Sequence, residues 1–192
     1  MSKKENILNG ATRLLALKGY KEASMAELAN LIGVAQGTIF YHFNKKETLF
    51  ISVLNQFQTQ LEEAFNVYEQ SSSFTNGLEA LLKKVEFFFL TAGKMQDEFL
   101  LIHRHDAYEI AGESEECRNM LEKIYSSIVD FFEQAIDTGQ KDGSIRLSEA
   151  RNTAMIILAM VDGLVRFNTY GIYEAGALYE DFLDSIRKIV AA

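Results

Sequence analysis

Residues 24–50 concentrate groups suited to gripping a polyanion and reading hydrogen-bond edges. Gln36, Gly37 and Thr38 follow one another at the start of a short helical segment. Glutamine can bond adenine bidentately, and threonine can hydrogen-bond or touch a thymine methyl. Small residues there let a helix backbone sit deep in a groove. Phe40, Tyr41 and His42 come next. One aromatic must face the core, which leaves the others to lie along phosphates. Lys45 and Lys46 fall at the start of the following helix, where charge and free backbone N–H groups coincide as an anion site. The same pattern also fits two small core helices with a solvated lysine pair.

The elements that must position these groups are helices. Apolar Ile7, Leu8, Ala11, Leu14 and Leu15 recur at helical spacing and predict a first helix from Lys3 to Leu17, ended by Gly19. Ser24 and Glu27 have the spacing of a capping box and open a second helix, Met25 to Ile32, stopped by Gly33. A third runs from Gln36 to His42. Two short helices joined by Gly33-Val34-Ala35 form a helix-turn-helix, the arrangement that lays its second helix in a major groove. Asn44 caps a long fourth helix, with apolar Leu49, Phe50, Val53, Leu54, Phe57 and Leu61, whose pattern breaks beyond Tyr68. Further helices are expected over 76–91, 97–110, 114–138, 148–170 and 177–190, with a glycine-bracketed turn at 139–143. The fold class is therefore all-α, with about nine helices, three short ones first.

Composition agrees. The 192 residues are 48% hydrophobic and 24% charged, in the range of globular proteins, and there is no proline. Average usage would supply about ten prolines, so long helices joined by short turns are expected. One cysteine and no tryptophan exclude a disulfide scaffold or a cysteine-rich zinc module. A single thiol suits a reducing cytoplasm, so a cytoplasmic location is expected. Residues 1–6 enter an amphipathic stretch rather than a signal-peptide run, and no stretch of about 18 apolar residues predicts a membrane span. The net charge is −8. It divides unevenly: residues 1–50 carry seven Lys/Arg against four Asp/Glu, and residues 51–192 carry twelve against twenty-three. A basic module on an acidic body is the expected arrangement.

Other chemistry is thin. His105 and Glu109 lie four apart on one helix and could share a metal, but two ligands are too few for a structural zinc site, so no metal is expected. Cys117 has no neighbour that marks it as reactive. No Glu-x-x-His, phosphate loop or nucleophile elbow occurs, so no catalytic residue, no cofactor and no enzyme is expected. The middle helices are rich in aromatics. Phe88, Phe89, Phe99, Tyr108 and Phe131 are candidates for a pocket lining or for plain core, with His103 as a polar handle beside Arg104.

Ser24-Met25-Ala26-Glu27-Leu28-Ala29, Gly33 to Phe43 and Lys46-Glu47-Thr48-Leu49-Phe50 together resemble the TetR family of bacterial transcriptional regulators. The resemblance covers about residues 5–55. It implies a homodimer with a DNA-binding domain over residues 1–47 and a ligand-binding and dimerisation domain over 48–192. It implies a repressor released from a near-palindromic operator by a small apolar effector, an acyl compound by preference. Carried over, Ser24 contacts a phosphate while capping, and Gln36, Gly37 and Thr38 face base edges. Tyr41 and His42 touch the DNA backbone and Lys46 holds a phosphate. Ala35 stands where the family has Ser or Thr, and Phe40 where it has Tyr. The dimer is expected as a four-helix bundle through Ile157 and Val161 on the penultimate helix and Phe182, Ile186 and Ile189 on the last. The open alternatives are a helical ligand-binding or interaction protein without operator specificity, and a metal-responsive regulator.

Overall fold

The computed structural model describes residues 2–191. Its helices are α1 (Lys3–Lys18), α2 (Met25–Ile32), α3 (Gln36–His42), α4 (Lys46–Ser71), α5 (Gly77–Lys94), α6 (Gln96–His103), α7 (His105–Glu113), α8 (Glu115–Asp142), α9 (Ala150–Thr169) and α10 (Tyr179–Val190). A 3-10 turn, Ala175–Leu178, precedes α10. The described residues form no strand, only one isolated antiparallel bridge between Ile145 and Ala191.

The chain divides into two compact units, residues 1–61 with 96–124, and residues 62–95 with 125–192. This partition does not follow the functional division expected at residue 47. The reason is local: α1 packs on α6 as well as on α2, which draws α6, α7 and the start of α8 into the first unit.

In the first unit, the buried stripe of α1 is Ile7, Leu8, Ala11, Leu14 and Leu15. Its N-terminus carries a full capping box, with Glu5 N–H donating to Ser2 Oγ at 3.1 Å and the Glu5 carboxylate receiving the Ser2 N–H. Phe57 meets Phe99 edge-on, with ring centroids 5.3 Å apart. The helix expected over 97–110 is broken into α6 and α7. Arg104 has an extended backbone, φ −71° and ψ 144°, at the break.

In the second unit, α5 packs on α9 and α10. Helix α8 runs through the turn expected at 139–143 as far as Asp142. Close approach explains why glycine belongs there: a Cβ on Gly77 would lie 2.0 Å from the Gly139 backbone nitrogen. Asp142 and Ser144 then cap α5, accepting from Gly77 N–H at 2.7 Å and Leu78 N–H at 3.0 Å. Lys84 is buried on the same face of α5 as Leu81 and Val85, donating to the Phe131 carbonyl at 2.9 Å and paired with Glu69. Burial pushes its ammonium below the usual lysine range, and Glu69 partly restores it.

Candidate nucleic-acid interface

The turn between α2 and α3 is built from local rules. Ser24 Oγ accepts from Glu27 N–H at 3.1 Å and starts α2. Only half of the expected capping box forms, because the Glu27 carboxylate pairs with Lys18 instead. Gly33 ends α2 in the left-handed conformation, φ 70° and ψ 36°, which costs a residue without Cβ little. Helix α3 follows with Ala35 at its N-cap and no side-chain cap bond. Met25, Leu28 and Ala29 of α2 and Ile39 of α3 are buried, and α2 packs on α3.

Seating Ile39 in the core decides what α3 presents. Ser24, Gln36 and Gly37 are exposed and Thr38 is half-buried. Tyr41 is 85% exposed and Phe40 45%. The expectation that Phe40, Tyr41 or His42 faces the core is corrected, since Phe43, four residues after Ile39, takes that place. Phe40 remains on the surface without the hydroxyl that would bond a phosphate.

Four lysines lie near this face, and the structure separates their roles. Lys3 and Lys4 join Ser2, Gly37, Thr38, Tyr41 and His42 around a groove of about 550 Å³ beside the α3 face. Their signal was present in the sequence, as a basic pair inside the first turn of α1. Lys45 is exposed. Lys46, in contrast, is turned inward: its Nζ donates to the carbonyls of Tyr20 at 2.6 Å and Ala23 at 2.9 Å, and lies 4.5 Å from the Tyr20 ring centroid. Burial lowers its pKa. The phosphate role expected of Lys46 thus competes with a structural one.

A two-helix unit with a polar α3 face, bordered by Lys3 and Lys4 and followed by the exposed Lys45, suits a groove edged by phosphates. Residues 7–53 match the family described as bacterial regulatory proteins, tetR family. Over these residues the chain carries the DNA-binding segment that defines the TetR family, and along most of its length it is similar to helix-turn-helix transcriptional regulators. It is 26% identical over 166 residues to the HTH-type transcriptional regulator YhgD of Bacillus subtilis, covering 86% of this chain and 83% of that one. Its fold is that of a transcriptional regulator from Saccharomonospora viridis in complex with choline, with TM-score 0.86 and 22% identity over 98% of this chain and 97% of that one. The regulator FadR of Bacillus subtilis, in complex with stearoyl-CoA, superposes with TM-score 0.79 and 21% identity over 96% and 97%.

The six residues expected to line an effector pocket fall in different units. Phe99, His103 and Tyr108 lie in the first; Phe88, Phe89 and Phe131 lie in the second. Phe99 and His103 are buried side by side, ring centroids 6.0 Å apart, and Tyr108 is exposed. Phe88 is fully buried beside Phe132, and Phe89 meets Tyr179 and Phe182, both at 5.7 Å. Phe131 stacks on Phe65 at 4.1 Å and lines a cleft of about 320 Å³ with Glu62, Asn66, Glu69, Ser127, Asp130 and Gln134.

His105 and Glu109 approach to 3.6 Å, but Glu109 also pairs with Lys21 at 2.8 Å. Among the described residues no three His, Cys, Asp or Glu gather as a metal site. Cys117 is buried, and burial pushes its thiol up to about 11, away from the reactive thiolate. No helix of the described residues is long and apolar enough to cross a membrane.

Of the residues expected at the dimer interface, Ile157, Val161, Phe182 and Ile186 are buried within the single chain and Ile189 is half-buried. The opposite face of α9 is exposed, with Met155 and Ile156 more than half exposed, Phe167 further along it and Tyr170 just past its end.

Proposed function

We propose that the chain is a homodimeric repressor that binds a near-palindromic operator through α3 and is released by a small lipophilic effector. The observation that carries the DNA half is the exposed Gln36–Gly37–Thr38 face of α3, edged by the groove that Lys3 and Lys4 share with Tyr41 and His42. Gln36 and Thr38 read base edges, while Ser24, Tyr41, His42, Lys3, Lys4 and Lys45 position the helix on phosphates. The second copy covers the open α9 face at Met155, Ile156, Ala159, Phe167 and Tyr170. Two reading helices then meet half-sites about one helical turn apart, ~34–36 Å.

For the effector, the aromatic content of the second unit and the fold shared with the stearoyl-CoA complex of FadR support an acyl compound. A second reading, an organic cation, is favoured by the fold shared with the choline complex and by the Phe65–Phe131 stack in the cleft that Glu62 lines, where Lys84 already lies over the Phe131 ring as a cation from the chain itself. The test is to enrich a duplex from a random-sequence library with the purified protein, then titrate stearoyl-CoA and choline against the complex. A two-fold symmetric motif released by stearoyl-CoA is expected, and Ile156→Asp should yield a monomer that no longer retains the paired motif. A ligand that binds yet leaves operator affinity unchanged has no differential affinity for the two states and is not the inducer.

A further inference from the structure

We propose that Arg104 and Asp106 are positioning residues for DNA binding: from the break between α6 and α7 they hold the α1–α2 turn, and through it the start of the helix-turn-helix. This rests on α3 being the reading helix.

The last carbonyls of an α-helix lack intrahelical donors and carry the negative end of its dipole. Arg104 supplies both donors and charge to α1. Its guanidinium donates to the carbonyls of Ala16 at 3.1 Å, Leu17 at 3.4 Å and Lys18 at 3.3 Å. Asp106 accepts the next backbone donor, the Tyr20 N–H, and its other oxygen lies 3.5 Å from Arg104 Nε. Lys46 closes the turn from the opposite end by taking the Tyr20 and Ala23 carbonyls. Lys21 pairs with Glu109 outside it. The carbonyls of Ala16, Leu17, Lys18 and Tyr20 and the Tyr20 N–H are thus taken by side chains from α4 and α6–α7, while the Gly19 N–H returns to Leu15 at 2.8 Å and the Gly19 carbonyl accepts the Ala23 N–H at 3.2 Å.

Gly19 shows that the seat is specific. Its φ is +84°, and a Cβ there would lie 2.5 Å from Asp106 Oδ2 and 2.8 Å from Arg104 Nε. A side chain at position 19 would have to displace the ends of both Arg104 and Asp106, on a backbone whose positive φ already disfavours it. Ala23 is buried immediately after the turn, and Ser24 then caps α2. A shift of the turn moves that cap, and with it Gly33 and the face of α3. The extended backbone at Arg104 belongs to the same device, because it interrupts an otherwise continuous helix and frees the guanidinium to reach α1.

The experiment uses the full chain and two duplexes, the one enriched by the wild type and an unselected one. Arg104→Ala and Asp106→Ala should weaken the enriched duplex about tenfold, the loss expected of charged hydrogen bonds. The unselected duplex and the salt slope should stay within twofold of wild type, because neither residue supplies a phosphate contact. The binding-competent fraction, from stoichiometric titration, should not change, as it would if the variants merely unfolded. Asp106→Asn keeps an acceptor for the Tyr20 N–H and should recover most of the affinity. Arg104→Lys keeps the charge but not the three-carbonyl fork, and should not. Wild-type affinity in Arg104→Lys, or equal weakening on both duplexes, would overturn the proposal. Gln36→Ala is the control: if it too leaves the enriched duplex unaffected, the reading of α3 falls and the proposal falls with it.

Discussion

Two runs of consecutive aromatic residues, Phe40-Tyr41-His42-Phe43 and Phe87-Phe88-Phe89, meet opposite fates. In the first, Phe43 alone is in the core, while Tyr41 and Phe40 stand in solvent. In the second, Phe88 is fully buried, Phe87 stacks on Tyr68 at 4.0 Å, and Phe89 meets the rings of Tyr179 and Phe182. Neighbours on a helix point about 100° apart, so each run surveys most of the helix circumference. Helix α3 is two turns long and rests on α2, so most directions remain open. Helix α5 is longer and meets α4 at Tyr68, α8 at Phe132 and α10 at Tyr179 and Phe182, so all three rings find partners. The fate of an aromatic is set by how many neighbours its helix has, which the run itself does not encode.

The contrast breaks most visibly at Phe88. Phe88→Ala should cost about 3–5 kcal/mol of unfolding free energy, measured by urea denaturation, since the cavity it leaves is ringed by fixed core. Tyr41→Ala should stay within about 0.5 kcal/mol in the same measurement and lose affinity for DNA instead. Near-neutral stability in Phe88→Ala would mean that its ring borders a space that tolerates vacancy, as a pocket lining would.

What could be read in advance follows the same division. The bounds of α2 and α3, the Ser24 cap and the Gly33 stop rest on interactions within a few residues, and all were legible. The break at Arg104 was not, because its cause is the end of α1, far upstream in the chain. Lys84 occupies a position three after Leu81 in a buried stripe, which periodicity marks as core, but its partner Glu69 lies on another helix. Helix α9 is apolar on two faces. Its composition therefore could not separate Ile157 and Val161, which fill the core, from Met155 and Ile156, which stay open.

The exposed side of the comparison sharpens at Gln36. Gln36→Ala should cost about 1–3 kcal/mol on the enriched operator and relax preference at one base position of each half-site. Stability should hardly move, because the side chain is exposed. A uniform loss over every sequence would instead place Gln36 on phosphate.

The smallest effect separates two adjacent lysines. Lys45 is exposed at the start of α4, so Lys45→Ala should lower the slope of log affinity against log salt by about 0.9 per subunit, the value of one phosphate contact, with stability unchanged. Lys46 holds the Tyr20 and Ala23 carbonyls and lies over the Tyr20 ring. Lys46→Ala should leave the slope alone and lower stability by about 1–2 kcal/mol, with part of the charged hydrogen-bond energy lost to solvent screening. The family resemblance alone points to Lys46 for the phosphate, whereas the exposed side chain of the pair is Lys45. Salt titrations of the two variants on one operator decide between them: a slope change confined to Lys46→Ala would mean that its side chain leaves the α1–α2 turn when DNA arrives.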